Sequence, residues 1–170
     1  MLTIIIGGAG SGKSAFAEAH VSKLPGRKIY LATMLIRDGE SCERVEKHRS
    51  QRAGRGFETV ERGLDLERAL IPAGSNVLLE DLSNLLANEL YEPNGGGADA
   101  ARRGLDRMIE ACDSLTVVTN EVFSGGADYD GESLRYMRLL ADLNRALAAR
   151  ADLAVEVVCG LPNVLKGELP

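Results

Sequence analysis

Five short apolar runs rich in β-branched residues recur along the chain: Thr3–Ile6, Ile29–Ala32, Val77–Leu79, Leu115–Thr119 and Leu153–Val158. They lack the apolar–polar alternation of a half-exposed strand, so they read as strands buried on both faces of a parallel sheet. Phe57–Glu61 reads as a further short strand. Between these runs lie stretches of helical period: Ser14–Leu24, the highly charged Cys42–Arg52, Leu82–Leu90, Ala100–Cys112 and the long Glu132–Arg150. In the last of these, Leu134, Met137, Leu140, Leu143, Ala146 and Leu147 fall on one face, which reads as core. Strand alternating with helix predicts an α/β fold, a doubly wound, mainly parallel sheet flanked by helices, as a single domain over residues 1–170. Glycine-rich Pro93–Gly97 and Ser124–Gly131 read as surface loops.

In a sheet of this type ligands gather at the carboxyl ends of the strands. The segments placed there are Gly7–Ser14, Thr33–Met34, Glu80–Asp81 and Asn120–Glu121, each polar or glycine-rich immediately after an apolar run. Their agreement points to one functional edge.

Composition narrows the partners. Lys and Arg total 20 against 25 Asp and Glu, a net charge of −5, which argues against nucleic acid or an anionic membrane as the main partner. Three Phe, four Tyr and no Trp are too few for a base-stacking platform. Cys42, Cys112 and Cys159 lie far apart with no CxxC spacing, so neither a disulfide framework nor a zinc site is expected. Cys112 and Cys159 read as buried small residues. No run approaches the roughly 18 apolar residues of a membrane span. The opening Met1–Ile6 lacks a basic region and reads as a strand rather than a signal peptide. The expected location is the cytoplasm.

The candidate chemistry begins at Gly7-Gly8-Ala9-Gly10-Ser11-Gly12-Lys13-Ser14, a full match to G-x-x-x-x-G-K-[ST] between a strand and a helix. Glycines let successive backbone N–H groups turn inward onto phosphate oxygens, and the helix N-terminus adds its positive dipole end. Lys13 would reach the β- and γ-phosphates, and the Ser14 hydroxyl would ligate Mg²⁺. A metal-holding acid is expected at the end of a buried strand. Val77-Leu-Leu-Glu80-Asp81 offers two, with Glu80 the first choice and Asp81 equally suited to cap the helix that follows.

Arg44, His48 and Arg52 are four residues apart and share a helix face. Flanking guanidinium groups would repel a metal cation and favour the neutral, nucleophilic imidazole while attracting phosphate. A plain solvated helix is the competing reading. His20 reads as a packing or surface residue, and Asp128 and Asp130 as parts of a solvated turn. Asn120 and Glu121 read as candidate site residues.

GGAGSGKS, IYLAT, RVEKHRSQR, TVE, LLED, VTNEV, LNRALAARAD and GLPNVLK follow one another in this order. Together, over about residues 3–166, they resemble the bifunctional adenosylcobinamide kinase / adenosylcobinamide-phosphate guanylyltransferase family of cobalamin biosynthesis. The resemblance implies a RecA-like P-loop fold and two reactions. One phosphorylates adenosylcobinamide with a nucleoside triphosphate, GTP or ATP, and the other transfers GMP from GTP to the resulting phosphate. The second passes through a GMP–histidine intermediate, for which His48 holds the position. By the same resemblance Gly7, Gly8, Ala9, Gly10, Ser11, Gly12, Lys13, Ser14, Ala32, Thr33, Met34, Arg49, Ser50, Gln51, Arg52, Glu61 and Glu80 contact the nucleotide, Ser14 and Glu80 hold Mg²⁺, and the protein is a homotrimer.

The chain departs from the family pattern at Gly10, over Phe123–Ser133, and by one residue in excess between His48 and Glu61. Gly10 stands where the family usually carries Arg, and Phe123–Ser133 replaces a Gly-Ile-Val-Pro-like segment. A monofunctional small-molecule kinase, or a GTP-dependent binding module without catalysis, are the alternative readings.

Overall fold

The computed structural model describes residues 1–35, 56–123 and 128–169. Within them the chain runs β1 (Leu2–Gly7), α1 (Lys13–Ser22), β2 (Lys28–Ala32), β3 (Phe57–Glu61), a 3₁₀ turn (Leu66–Arg68) and β4 (Asn76–Glu80). It continues with α2 (Leu82–Tyr91), α3 (Gly97–Ala111), β5 (Ser114–Asn120), α4 (Gly131–Arg150), β6 (Leu153–Val158) and β7 (Leu161–Lys166). All five apolar runs and Phe57–Glu61 are strands. The charged stretch Cys42–Arg52 lies outside the described residues.

The seven strands form one sheet in the order β3-β2-β4-β5-β1-β6-β7, parallel except for β7. Both faces are covered, which explains the uninterrupted apolar runs. Alternate residues of each strand enter two separate cores. Leu2, Ile4, Ile29, Leu31, Val77, Leu79, Leu115 and Val117 pack beneath α2, α3 and α4, whose Leu82, Leu86, Leu105 and Leu140 join them. Ile5, Tyr30, Leu78, Val118 and Val155 face the other way, against Ala17 and Val21 of α1.

Register then aligns the strand ends. Gly7 pairs with Asn120, Ala32 pairs with both Glu80 and Glu61, and Ile6 pairs with Thr119 and Glu156. The order changes direction at β1, whose neighbours are β5 and β6, so the crevice of the sheet opens above Gly7.

Two expectations change. Cys159 is exposed, not buried, because β6 turns back into β7 through Cys159 and Gly160, with φ of 50° and 78°. Positive φ at both central residues is the signature of a two-residue type I′ hairpin. Leu134 is exposed as well: the apolar face of α4 is buried only over its second half, at Leu140, Leu143 and Leu147. Its first turns carry no fully buried residue. Asp130 caps the helix start by accepting the Ser133 N–H at 2.7 Å, which holds its carboxyl below the usual range. His20 is buried and stacks on Phe16 with ring centroids 6.5 Å apart, a packing role.

Candidate active site

The loop joining β1 to α1 is shaped by its glycines. Gly10 and Gly12 have φ of 69° and 90°, a left-handed region that costs other residues about 1–2 kcal/mol. Ser11 N–H donates to the Gly8 carbonyl at 3.2 Å, and Phe16 N–H donates to the Gly12 carbonyl at 3.0 Å. The hairpin tip braces the loop from outside, as Gly160 N–H donates to the Ser11 carbonyl at 2.8 Å. A β-carbon on Gly12 would stand 3.1 Å from Gly160 Cα. Lys13 is buried, with Nζ donating to the Gly8 carbonyl at 3.2 Å. The ammonium therefore curls back over the loop, at the place phosphate oxygens occupy in a P-loop.

The Ser14 hydroxyl donates to Glu80 Oε1 at 2.6 Å. Glu80 Oε2 is buried and has no hydrogen-bond partner among the described residues. Burial pushes the Glu80 carboxyl up to about 8; Asp81 and Glu18 add to the rise, and the Ser14 hydrogen bond and Lys13 oppose it. A buried carboxylate with one free oxygen beside a serine hydroxyl is a donor set of hard oxygens, suited to Mg²⁺. The residues present fit that ion.

Asp81 is occupied elsewhere. Its Oδ1 accepts the Asn84 N–H at 2.7 Å and its Oδ2 accepts from Asn84 Nδ2 at 3.2 Å, so it caps α2. Burial raises its carboxyl too. Thr33 is buried at the same junction, donating from Oγ1 to the Asp81 carbonyl at 2.8 Å and from its N–H to the Glu80 carbonyl at 3.0 Å. Asn88 Nδ2 in turn donates to the Thr33 carbonyl at 2.8 Å. Thr33 thus ties β2 to the start of α2.

The edge is long. At roughly 4.8 Å per strand, Ala32 lies about 14 Å and Glu61 about 19 Å across the edge from Gly7. The structure therefore gathers Gly7–Ser14 and Glu80, and places Ala32–Met34 and Glu61 at the far end of the same edge. His48, Arg49, Ser50, Gln51 and Arg52 lie outside the described residues.

A cavity of about 350 Å³ beside the loop is lined by Gly8–Ser11, Glu121, Glu156 and Val157–Cys159. Glu156 escaped the sequence reading because it sits inside an apolar run. Its signal was the lone acid of Leu153–Val158, on the strand face that Ala154 occupies.

A model of the family "Cobinamide kinase / cobinamide phosphate guanyltransferase" matches residues 3–165. The chain belongs to this family. Among its relatives is the bifunctional adenosylcobalamin biosynthesis protein CobP of Pseudomonas aeruginosa, 33% identical over 99% of both chains. Another is the bifunctional adenosylcobalamin biosynthesis protein CobU of Escherichia coli, 32% identical over 98% of this chain and 100% of that one. Among solved structures, a prototypical ATPase from the type III secretion system of pathogenic bacteria covers 96% of this chain and 56% of its own, with a TM-score of 0.54 at 13% identity. That likeness concerns the fold alone. Among the described residues no helix is long and apolar enough to cross a membrane.

Proposed function

We propose that this protein phosphorylates adenosylcobinamide with a nucleoside triphosphate and then transfers GMP from GTP onto adenosylcobinamide phosphate. The observation that carries the reading is the match of nearly the whole chain to the kinase and guanylyltransferase family, joined to a P-loop whose Ser14 already meets Glu80.

The loop amides and Lys13 hold the triphosphate, and Ala32–Met34 and Glu61 serve the distal part of the nucleotide. Ser14 and Glu80 hold Mg²⁺, which when bound supplies positive charge against the phosphate oxygens. For the kinase step the acceptor hydroxyl attacks the γ-phosphorus and the nucleoside diphosphate leaves. For the transfer step His48 attacks the α-phosphorus of GTP and pyrophosphate leaves. The acceptor phosphate then attacks the phosphorus of the histidine-bound GMP, which frees His48 and forms adenosylcobinamide-GDP. Two displacements in place of one is the usual gain of covalent catalysis. Arg49 and Arg52 lie within four residues of His48 and supply positive charge for the incoming phosphates.

The test is chromatography of reactions holding GTP, Mg²⁺ and adenosylcobinamide. The expected products are the phosphate and then the GDP derivative; His48→Ala stops at the phosphate. Transfer activity surviving in His48→Ala would refute the histidine step.

The protein also works as a homo-oligomer, a trimer by the family resemblance, in the cytoplasm. What supports association is β7, an edge strand exposed along its length with Leu161 72% and Leu165 59% accessible. Light scattering of Leu161→Lys/Leu165→Lys should show a smaller species than the native chain.

A further inference from the structure

Three of the four tyrosines in the chain line one cavity. It measures about 530 Å³, within the usual range of ligand sites, and is lined by α2 and the N-terminal turns of α4. Ala87 and Tyr91 line it from α2, Tyr136 and Met137 from α4, and Val122 and Tyr129 from the segment between β5 and α4. In a chain with seven aromatic residues, three of them gather at this cavity. Tyr91 and Tyr129 are 52% and 39% exposed, so their faces are open to a ligand.

The cavity is joined to the strand ends of the P-loop site. Tyr136 Oη donates to the Ser83 carbonyl at 3.1 Å, and burial pushes that phenol up to about 12, so it remains a neutral donor. Ser83 Oγ accepts the Asn120 N–H at 3.0 Å. The next residue, Glu121, donates its N–H to the Gly7 carbonyl at 3.0 Å. Three hydrogen bonds therefore link the tyrosine wall to the first glycine of the loop. The rim carries Glu132 and Ser133, groups that pair with amide N–H and C=O.

We propose that this cavity holds the corrin ring edge of the acceptor, with Tyr91, Tyr129 and Tyr136 against the ring and Glu132 and Ser133 on its peripheral amides, while the ring's hydroxyl-bearing arm extends to the P-loop. The inference rests on the functional reading above and names the acceptor side of that same site. Several of its residues come from Phe123–Ser133 and the turn after it, where this chain departs from the family pattern. The departure thus sets which corrinoid is accepted, and leaves nucleotide chemistry untouched.

The test uses steady-state kinetics with adenosylcobinamide and GTP varied separately. Tyr91→Ala and Tyr129→Ala, both partly exposed, should raise the acceptor KM about tenfold each, the effect of losing one stacking face. The GTP KM and the folding transition should stay at native values. Ala87→Phe, which fills the cavity from α2, should raise the acceptor KM likewise, whereas Tyr91→Phe, which keeps the ring, should leave it at the native value. An unchanged acceptor KM in all three cavity variants, in a protein whose native form uses adenosylcobinamide, overturns the cavity assignment alone. A parallel rise in the GTP KM also overturns it, by making the cavity a nucleotide site. A native protein that binds GTP but neither binds nor converts adenosylcobinamide overturns the functional reading, and this assignment with it.

Discussion

Replacing Glu80 with Gln should make the ligand-free protein more stable and less active, by an amount that grows with pH. Glu80 ordinarily ionises at 4.5, and in the folded chain its carboxyl is pushed up to about 8, chiefly by burial. A raised folded value means that the native state holds a proton the unfolded state releases, so stability is lost as pH climbs from the lower value to the higher. At about 1.36 kcal/mol per unit, the loss is about 2 kcal/mol near pH 6 and about 4 kcal/mol near pH 8, where it levels off. Gln keeps the shape, accepts from Ser14, and carries no charge to desolvate. Thermal melts in chelator without nucleotide should therefore place Glu80→Gln above the native chain by roughly 4–8 °C near pH 6 and roughly 8–16 °C near pH 8. GTP with Mg²⁺ should stabilise the native chain strongly and the variant little, since the variant lacks the carboxylate that holds the ion. A melting gap that is constant with pH, or a variant that melts lower throughout, would refute this account of Glu80.

Other outcomes follow from the same geometry. Asp81→Ala removes the α2 cap and should cost about 1 kcal/mol in denaturant unfolding, while Asp81→Asn, which still accepts from Asn84, should regain it. Gly12→Ala meets both a left-handed φ and Gly160 Cα, so it should lower stability by at least about 1–2 kcal/mol and abolish GTP binding measured by calorimetry. Iodoacetamide near neutral pH should label Cys159 in peptide maps and spare Cys112, which is buried with its thiol pushed up to about 11. GTP should slow the labelling of Cys159, because that residue lines the cavity beside Gly8–Ser11.

The sheet was legible because its central strands are apolar on both sides. Runs such as Ile29–Ala32 and Val77–Leu79 have no solvent face, and only a doubly covered strand needs that pattern. β7 carried no such signal. Leu161–Lys166 contains Pro162 and is exposed on both faces, so neither alternation nor a continuous apolar run marks it. Missing β7 also hid the turn that exposes Cys159 and braces Ser11. On α4, a stripe of fixed spacing is indistinguishable along its length, and only tertiary packing decides that Leu140 is buried and Leu134 is not. The loop Gly7–Ser14 was readable because phosphate binding fixes its spacing. Which of Glu80 and Asp81 faces Ser14 was not readable, since it depends on the backbone path into α2. The tyrosine cavity is assembled from Tyr91, Tyr129 and Tyr136, spread over three segments, and no local pattern joins them.

Intact-mass measurement after incubation with GTP and Mg²⁺ reads covalent guanylyl transfer to His48 without any acceptor. An acid-labile adduct with the mass of GMP is expected on the native chain, absent from His48→Ala and lost on adding adenosylcobinamide phosphate. A native chain that forms adenosylcobinamide-GDP while His48→Ala does so equally well, with no adduct on either, would contradict it.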